Sequence, residues 1–525
     1  MVTTGAHALT GALAAHGVEL VWGIPGTHNL DLYAALAPAG IRHAPARHEQ
    51  GAAFAADGFA RSTGRVGVCL TTSGPGVLNA ATAMAQAWSD SVPVLLVSAG
   101  LPVRHPSRGN GYLHETKDIK GTIEGIVSYS HRVMSVEEIP TAVAQAFGAM
   151  RSGRPRPVHL EVPCDVLAET AAIEPVEPVS VAGAAADGAA LEQAAERLTG
   201  ARRPAMIVGG GALSASAAVR AVADRLGAPV VTTFNGKGAL PSSHPLCVGT
   251  GLHHRTVREL VADSDAVLVV GSELAPADLW DGPLAMGARL IRIDVDPAQV
   301  LTNAHPDIAL VGDAGETLER LLALSAPSDG DGWARAEGWR ERMSEEIRAE
   351  SAPWEWVLAP LADALDERGV LAGDSAMVCY YGAAGRLPGQ RPRCFLYPTG
   401  YGTLGYGLPA GIGAKLARPD DPVVVLIGDG GIMFTVGELA AAAQLGLALP
   451  VIVVDNAGYG EIRTEMRERG DEPVAVDIPS PDFPSLARAL GCHGRPIADA
   501  EDLSSALSHA LETDRPTVLH VRCPS

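Results

Sequence analysis

The chain holds 525 residues, 47% of them hydrophobic, and carries a formal net charge of −20. So long a chain exceeds one ordinary hydrophobic core, so two to four domains are expected, and so apolar a composition argues against general disorder. The acidic balance argues against nucleic acid and anionic membrane surfaces as partners, because both require a basic footprint.

The seven cysteines are scattered, with no Cys-x-x-Cys pair. Such a set reads as reduced thiols of a cytoplasmic protein rather than a disulfide framework. Residues 1–11 lack a basic region followed by an apolar segment, so no signal peptide is expected. No run of about 18 apolar residues occurs, so no membrane span is expected.

Early in the chain, Val21-Trp-Gly-Ile-Pro-Gly26 leads into Thr27 and His28. Next, Arg47-His48-Glu49-Gln50 precedes an Ala- and Gly-rich stretch ending at Arg61. On a helix, Glu49, Ala53, Ala56 and Ala60 share one face, at offsets of 4, 7 and 11. That face is small and apolar and suits close packing on a sheet or another helix. Glu49 then has two readings. It points into a buried place, where a carboxyl has a raised pKa and shares a proton with a ring nitrogen, or it is a first-turn acid favoured by the helix dipole.

Strand-like runs at 66–71, 92–97, 206–208, 230–233, 266–270 and 290–293 alternate with Ala-rich helical stretches. The alternation predicts parallel sheets covered by helices. Residues 174–188 and 325–332 break the pattern and read as linkers. Three α/β blocks of ordinary domain size follow, 1–173, 189–325 and 350–525, with a helix over 333–352 leading into the third. Gly209-Gly210-Gly211 follows a strand in the central block but lacks Gly-x-Gly-x-x-Gly spacing, so no nucleotide site is read there. The abundance of Ala and Gly reads as compositional, and no short repeat is evident.

In the third block the apolar run 423–427 ends in Gly428-Asp429-Gly430-Gly431, and the run 451–454 ends in Asp455-Asn456-Ala457-Gly458. Two strands of one parallel sheet thus deliver Asp429 and Asn456 to the carboxyl edge, where open α/β sheets bind ligands. A carboxylate, an amide oxygen and a nearby backbone carbonyl form an all-oxygen site. Such a site suits Mg²⁺, with positions left for phosphate and water. Gly430 and Gly431 let backbone N–H groups approach a phosphate at the start of the next helix. Asp-Gly after a strand is by itself often only a tight turn. Asn456, 26 residues after Gly430, makes the pair far more specific.

The pair at that spacing resembles the thiamine diphosphate (ThDP) fingerprint. The segments 47–61, Val21 to Gly26, Thr72-Ser73-Gly74-Pro75-Gly76, Asp90-Ser91-Val92-Pro93 and 398–415 extend the likeness over nearly the whole chain. The chain is similar to the acetolactate synthase, benzoylformate decarboxylase and pyruvate decarboxylase superfamily. The resemblance implies three doubly wound parallel-sheet α/β domains, pyrimidine-binding, central and diphosphate-binding, with ThDP and Mg²⁺ as cofactors. It implies that Glu49 hydrogen-bonds the aminopyrimidine, that Gly402 leaves its carbonyl for the pyrimidine amine, and that Leu404 supports the bend of the cofactor. Ser375, Gly428, Asp429, Gly430, Gly431 and Asn456 would touch the diphosphate end, and Asp429, Asn456 and the carbonyl of Gly458 would hold Mg²⁺. The two ends of the cofactor belong to different subunits in this superfamily, which implies a homodimer or homotetramer.

Within the superfamily, Gly23-Ile-Pro-Gly-Thr-His28, Leu113-His114-Glu115-Thr116-Lys117-Asp118, 398–415 and, more loosely, Glu461-Ile-Arg-Thr-Glu-Met466 resemble 5-guanidino-2-oxopentanoate (2-ketoarginine) decarboxylases. That likeness implies non-oxidative decarboxylation of a 2-oxo acid to an aldehyde and CO₂. The reaction needs a proton donor, for which His28 and His114 are candidates. A guanidinium needs an anionic partner, for which Asp278, Glu461 and Glu465 are candidates, and Thr27 would lie beside the substrate. Pyruvate decarboxylases carry an acid at Thr27, a histidine pair at Leu113-His114 and a glutamate at Ile462. Benzoylformate decarboxylase has a histidine at Thr72, and acetolactate synthases have Phe-Gln at Leu113-His114. The proton-transfer set belongs to none of them. The alternative reading is an acetolactate-synthase-like carboligase.

Overall fold

In a computed structural model, residues 2–523 are described, except 107, 175–176, 179–182, 288 and 329. Parts of both predicted linkers, 174–188 and 325–332, therefore lie outside the described residues.

The alternation of runs and helices yields three six-stranded sheets. The first, in spatial order, is Arg42–Pro45, Leu20–Gly23, Gly67–Thr71, Val94–Gly100, Val158–Pro163 and Tyr129–Arg132. The third is Phe395–Leu396, Val370–Gly373, Val423–Gly428, Pro450–Asp455, Thr517–Arg522 and His493–Ile497. Every pairing in both is parallel. Numbered along each block, the two sheets share one strand order, 2-1-3-4-6-5. The repeat absent from the residues is thus present in the topology. The central sheet runs Cys247–Thr250, Val230–Thr232, Pro204–Val208, Ala266–Val270, Leu290–Asp294 and Ile308–Val311, an order of 3-2-1-4-5-6. A two-stranded ribbon, Val2–Thr4 with Thr170–Ala172, closes the first block on itself.

Helices on both faces explain why these strands read as unbroken apolar runs. Val423 to Ile427 are all fully buried. The predicted helix beginning at Glu49 spans Glu49–Thr63, capped by His48, and ends at Gly64 in a left-handed conformation (φ 75°). Its small face packs on helix Gly407–Ala417 of the third block, and both belong to one core. A Cβ on Gly58 would collide with the Ala410 carbonyl, and one on Gly413 with that of Ala55. Here the Ala and Gly residues are a packing requirement, which corrects the compositional reading. Two helix backbones approach closely only where side chains are small.

Arg61 binds the three blocks together. It donates to Asp57 and Asp90 at 2.7 Å each, and to Asn235 and the Tyr397 carbonyl at 3.1 Å each. The Tyr406 hydroxyl completes the cluster on Asp57 at 2.7 Å. In the central block the Gly211 N–H donates to the Gly271 carbonyl at 3.0 Å, so the glycine loop closes on the protein's own backbone. The predicted helix at 333–352 is Gly332–Ser351. Among the described residues no helix is long and apolar enough to cross a membrane.

Candidate active site

In the first and third sheets the strand order reverses between strand 1 and strand 3, which makes a crevice at the carboxyl edge. Leu20–Gly23 and Gly67–Thr71 border one crevice; Val370–Gly373 and Val423–Gly428 border the other. Each predicted motif leaves one of these strands or its neighbour.

At the third sheet, Asp429 opens the short helix Asp429–Ile432 and is buried. Its Oδ2 accepts the Gly458 N–H at 2.9 Å and the Ser480 hydroxyl at 3.2 Å, so the Asp429 and Asn456 turns meet. Burial, together with the Asp455 charge, raises the Asp429 carboxyl above its ordinary range. Asp455 is itself held by His520 Nε2 at 2.8 Å and by Ser480 at 2.7 Å. The side-chain oxygen of Asn456 is buried without a hydrogen-bond donor. A buried amide oxygen left unpaired is costly, and an oxygen-seeking cation would satisfy it. The Gly458 carbonyl accepts the Gly460 N–H at 3.1 Å and keeps a second lone pair. These three donors fit Mg²⁺, and Gly430 and Gly431, buried beside them, fit a phosphate.

Asp374, one residue before Ser375, was not singled out in the sequence. It is fully buried and accepts the N–H groups of Gly405 and Gly407 at 3.1 and 2.8 Å. Burial pushes its carboxyl up to about 6. It fixes the loop that carries Gly402 (φ 64°) and the half-buried Leu404 next to the Gly428–Gly431 turn. The signal was the Gly-Asp that ends strand Val370–Gly373, the same device as at Gly428-Asp429.

At the first sheet, Glu49 is the first residue of its helix, 8% exposed, and its Oε2 accepts Asn79 Nδ2 at 2.9 Å. Glu438 of the third block reaches the same turn. Its Oε1 accepts the backbone N–H groups of Arg47 and His48, each at 3.0 Å. Burial pushes the Glu438 carboxyl up to about 7. No local motif marks Glu438, since its partners are backbone groups of another block.

His28 and His114, far apart in sequence, share one hydroxyl. Ser73 Oγ lies 2.6 Å from His28 Nδ1 and 3.4 Å from His114 Nδ1. Burial and the neighbouring His114 lower the His28 pKa. The backbone of His114 is left-handed (φ 64°), and its carbonyl is packed against Gly74. Thr72, next to Ser73, touches Gly26 and Gly76, and Gly76 lies beside Glu49. Glu49 and the Ser73-linked histidines therefore share one edge, while Thr27 is exposed at its rim. Ser73 was quoted only as part of a motif.

Of the three acids proposed for a guanidinium, Glu465 is exposed, and Asp278 and Glu461 face different surroundings. Asp278 is pushed up to about 7 by burial, with Asp90 and Glu273 as its charged neighbours. Glu461, in the first turn of helix Gly460–Glu468, accepts the Tyr381 hydroxyl at 2.8 Å.

Residues 3–122 match the thiamine pyrophosphate enzyme N-terminal TPP binding domain, 191–321 its central domain, and 376–521 its C-terminal TPP binding domain. The chain belongs to the thiamine pyrophosphate enzyme family. Among individual relatives it is 42% identical to the probable 2-ketoarginine decarboxylase AruI of Pseudomonas aeruginosa, over 99% of this chain and 94% of that protein. It is 36% identical to the acetolactate synthase large subunit of Parasynechococcus marenigrum, over 99% and 88%. With the acetolactate synthase isozyme 2 large subunit of Escherichia coli it shares 34% identity, over 98% and 95%.

Proposed function

We propose that this chain is a ThDP- and Mg²⁺-dependent 2-oxo acid decarboxylase that releases an aldehyde and CO₂, with 5-guanidino-2-oxopentanoate as substrate. The name of the 42%-identical relative supports the substrate class. The observation that carries the reaction type is the hydrogen-bonded set His28–Ser73–His114 beside Glu49. Releasing an aldehyde requires a proton at the carbon that lost CO₂, whereas joining that carbon to a second carbonyl does not.

ThDP, when bound, supplies the nucleophilic carbon and the electron sink that decarboxylation needs. The chain's own groups bind, orient and move protons. Asp429, Asn456 and the Gly458 carbonyl would hold Mg²⁺, and the Gly428–Gly431 turn with Ser375 would hold the diphosphate. Glu49, oriented by Asn79, would hold the aminopyrimidine, with Gly402 and Leu404 supporting it. Ser73 engages Nδ1 of both histidines, so their Nε2 atoms are the ones left to give or take a proton. Burial keeps His28 neutral near pH 7, able to donate from one nitrogen and accept on the other.

The working assembly in this reading is a homodimer or homotetramer, with domains at 1–173, 189–325 and 350–525, in the cytoplasm. Leu78, Tyr401, Met433 and Phe434, between 45% and 55% exposed, lie within three residues of Asn79, Gly402 or the Gly428–Gly431 turn, and they support an active site covered by a second copy. The alternative, an acetolactate-synthase-like carboligase, is favoured by the relatives at 36% and 34% identity. Product analysis with Mg²⁺ and ThDP on a panel of 2-oxo acids separates the two. Free aldehyde and CO₂ from 5-guanidino-2-oxopentanoate, at a higher kcat/KM than for pyruvate, is the expected result. Acetolactate from pyruvate as the main product would overturn it.

A further inference from the structure

Glu461 is a half-buried carboxylate at the edge of a cluster of aromatic rings. The segment Val378–Ala383 forms a π-helical turn after strand Val370–Gly373 and brings Tyr380 and Tyr381 together. Such turns concentrate at functional sites. Tyr381 donates its hydroxyl to Glu461 Oε1 at 2.8 Å, and Tyr380, whose ring centre lies 4.6 Å from that of Tyr381, is near enough to feel the Glu461 charge. Burial and the Glu461 charge raise both phenols, so both stay protonated donors.

The central block supplies the third wall. Trp280 meets Tyr381 edge-on at 5.4 Å and Tyr380 at 6.3 Å. It is stacked on His253 at 3.7 Å, and its Nε1 donates to the Ala277 carbonyl at 3.0 Å. His253 lies 3.4 Å from Glu350 of the long helix Gly332–Ser351, which fixes the base of the stack. Trp280 takes a left-handed backbone (φ 49°) to reach this place and is still 39% exposed. A bulky residue held at positive φ is strained, and such strain clusters at ligand clamps.

What this wall lacks is a cation. Among the described residues no Lys or Arg forms an ion pair with Glu461. Glu465 and Glu350 add further negative charge around Tyr381. The wall also adjoins the proposed Mg²⁺ end, because Gly460, next to Glu461, packs directly on the Asn456 amide. A carboxylate held by the Tyr381 phenol, in a cluster whose other members are the Tyr380 ring and the Trp280 indole, matches a planar cation. Guanidinium pairs with carboxylates through its fork and stacks on aromatic faces, which an ammonium does less well.

We propose that Glu461, with Tyr380, Tyr381 and Trp280, forms the subsite for the guanidinium end of the substrate. The proposal rests on the decarboxylase reading above and adds which residues select the substrate. Asp278, two positions before Trp280, has Asp90 and Glu273 as its charged neighbours, and its substitution serves as the comparison.

The test compares 5-guanidino-2-oxopentanoate with its neutral, near-isosteric 5-ureido analogue. The wild type is expected to favour the guanidino acid in kcat/KM by about 100-fold, the scale for a desolvated charge pair. Glu461→Gln should collapse that ratio to near one, Trp280→Leu should lower it about tenfold, and Asp278→Asn should leave it in place. Tyr381→Phe, which keeps the ring and loses the donor, should also lower the ratio and carries the test if Glu461→Gln fails to fold. A wild-type ratio that persists in Glu461→Gln, or in Tyr381→Phe where that variant stands in, overturns the subsite while leaving the decarboxylase reading intact. A wild type with no preference between the two acids overturns the substrate reading, and this subsite with it.

Discussion

Glu438 accepts the backbone N–H of His48 at 3.0 Å across 390 residues of sequence. One residue further on stands Glu49, so a carboxylate of the third block sets where the glutamate of the first block begins its helix. Replacing Glu438 by Ala removes the acceptor of two part-buried N–H bonds, a loss of about 0.5–1.5 kcal/mol each. Glu438→Ala should therefore lower the Tm and, by shifting Glu49, lower kcat more than it raises KM. Glu438→Gln, which keeps one acceptor, should recover part of both. Thermal denaturation and steady-state kinetics check this.

The same residue gives a pH signature. Its folded carboxyl is pushed up to about 7, above the ordinary carboxylate range. A raised acid stabilises the fold below its unfolded pKa, and that contribution is lost as pH rises through the folded value. Wild-type Tm should thus fall between about pH 4.5 and 7 more steeply than that of Glu438→Gln. Denaturation curves across that window report the difference.

Asp278 follows the same sign. Its carboxyl lies at about 7, pushed there by burial and then by Asp90 and Glu273. Its contribution to stability is present at pH 4 and lost as pH rises through 7. Asp278→Asn should unfold at a higher temperature than wild type at pH 8, by on the order of 2–4 °C, with the gap closing toward pH 4.

Ser73→Ala removes the hydroxyl that joins Nδ1 of His28 and His114. The variant should fold as the wild type does, with kcat for aldehyde release down about tenfold or more and its pH profile displaced. An unchanged profile would show that the two histidines act independently of each other.

Asn456→Ala removes the buried oxygen that has no donor. Mg²⁺ affinity, read by calorimetry in the presence of ThDP, should fall at least 100-fold, roughly the upper range seen when a partner beyond the ligands themselves is lost. Arg61→Ala should act on stability instead. It strips the guanidinium from the buried Asp57 and from Asp90, a loss of about 3–5 kcal/mol.

The strands, their parallel arrangement and the Asp429–Asn456 pair were legible because each is local. An apolar run followed by Gly-Asp or Asp-Asn is a strand and its exit, and neighbouring exits fall on one edge whatever the packing around them. The Glu49 helix was legible for the same reason, from periodicity alone. Glu438, Asp374 and Ser73 were not. Their partners are backbone groups of another segment, or a pair of histidines 41 and 45 residues away, and no spacing encodes such a contact.

Asp278 and Glu461 mark the limit most clearly. The sequence offered both as acids and could not rank them, because composition says nothing of what faces a carboxylate. The sequence by itself determined three parallel-sheet blocks, the exits that suit a metal and a phosphate, and the family to which they belong. Only the tertiary structure decided that Glu461 takes the Tyr381 hydroxyl beside the Tyr380 and Trp280 rings while Asp278 has other acids as its charged neighbours, and that Glu438 holds the turn before Glu49. Those relations depend on how the blocks pack against one another, and packing joins residues far apart in the chain.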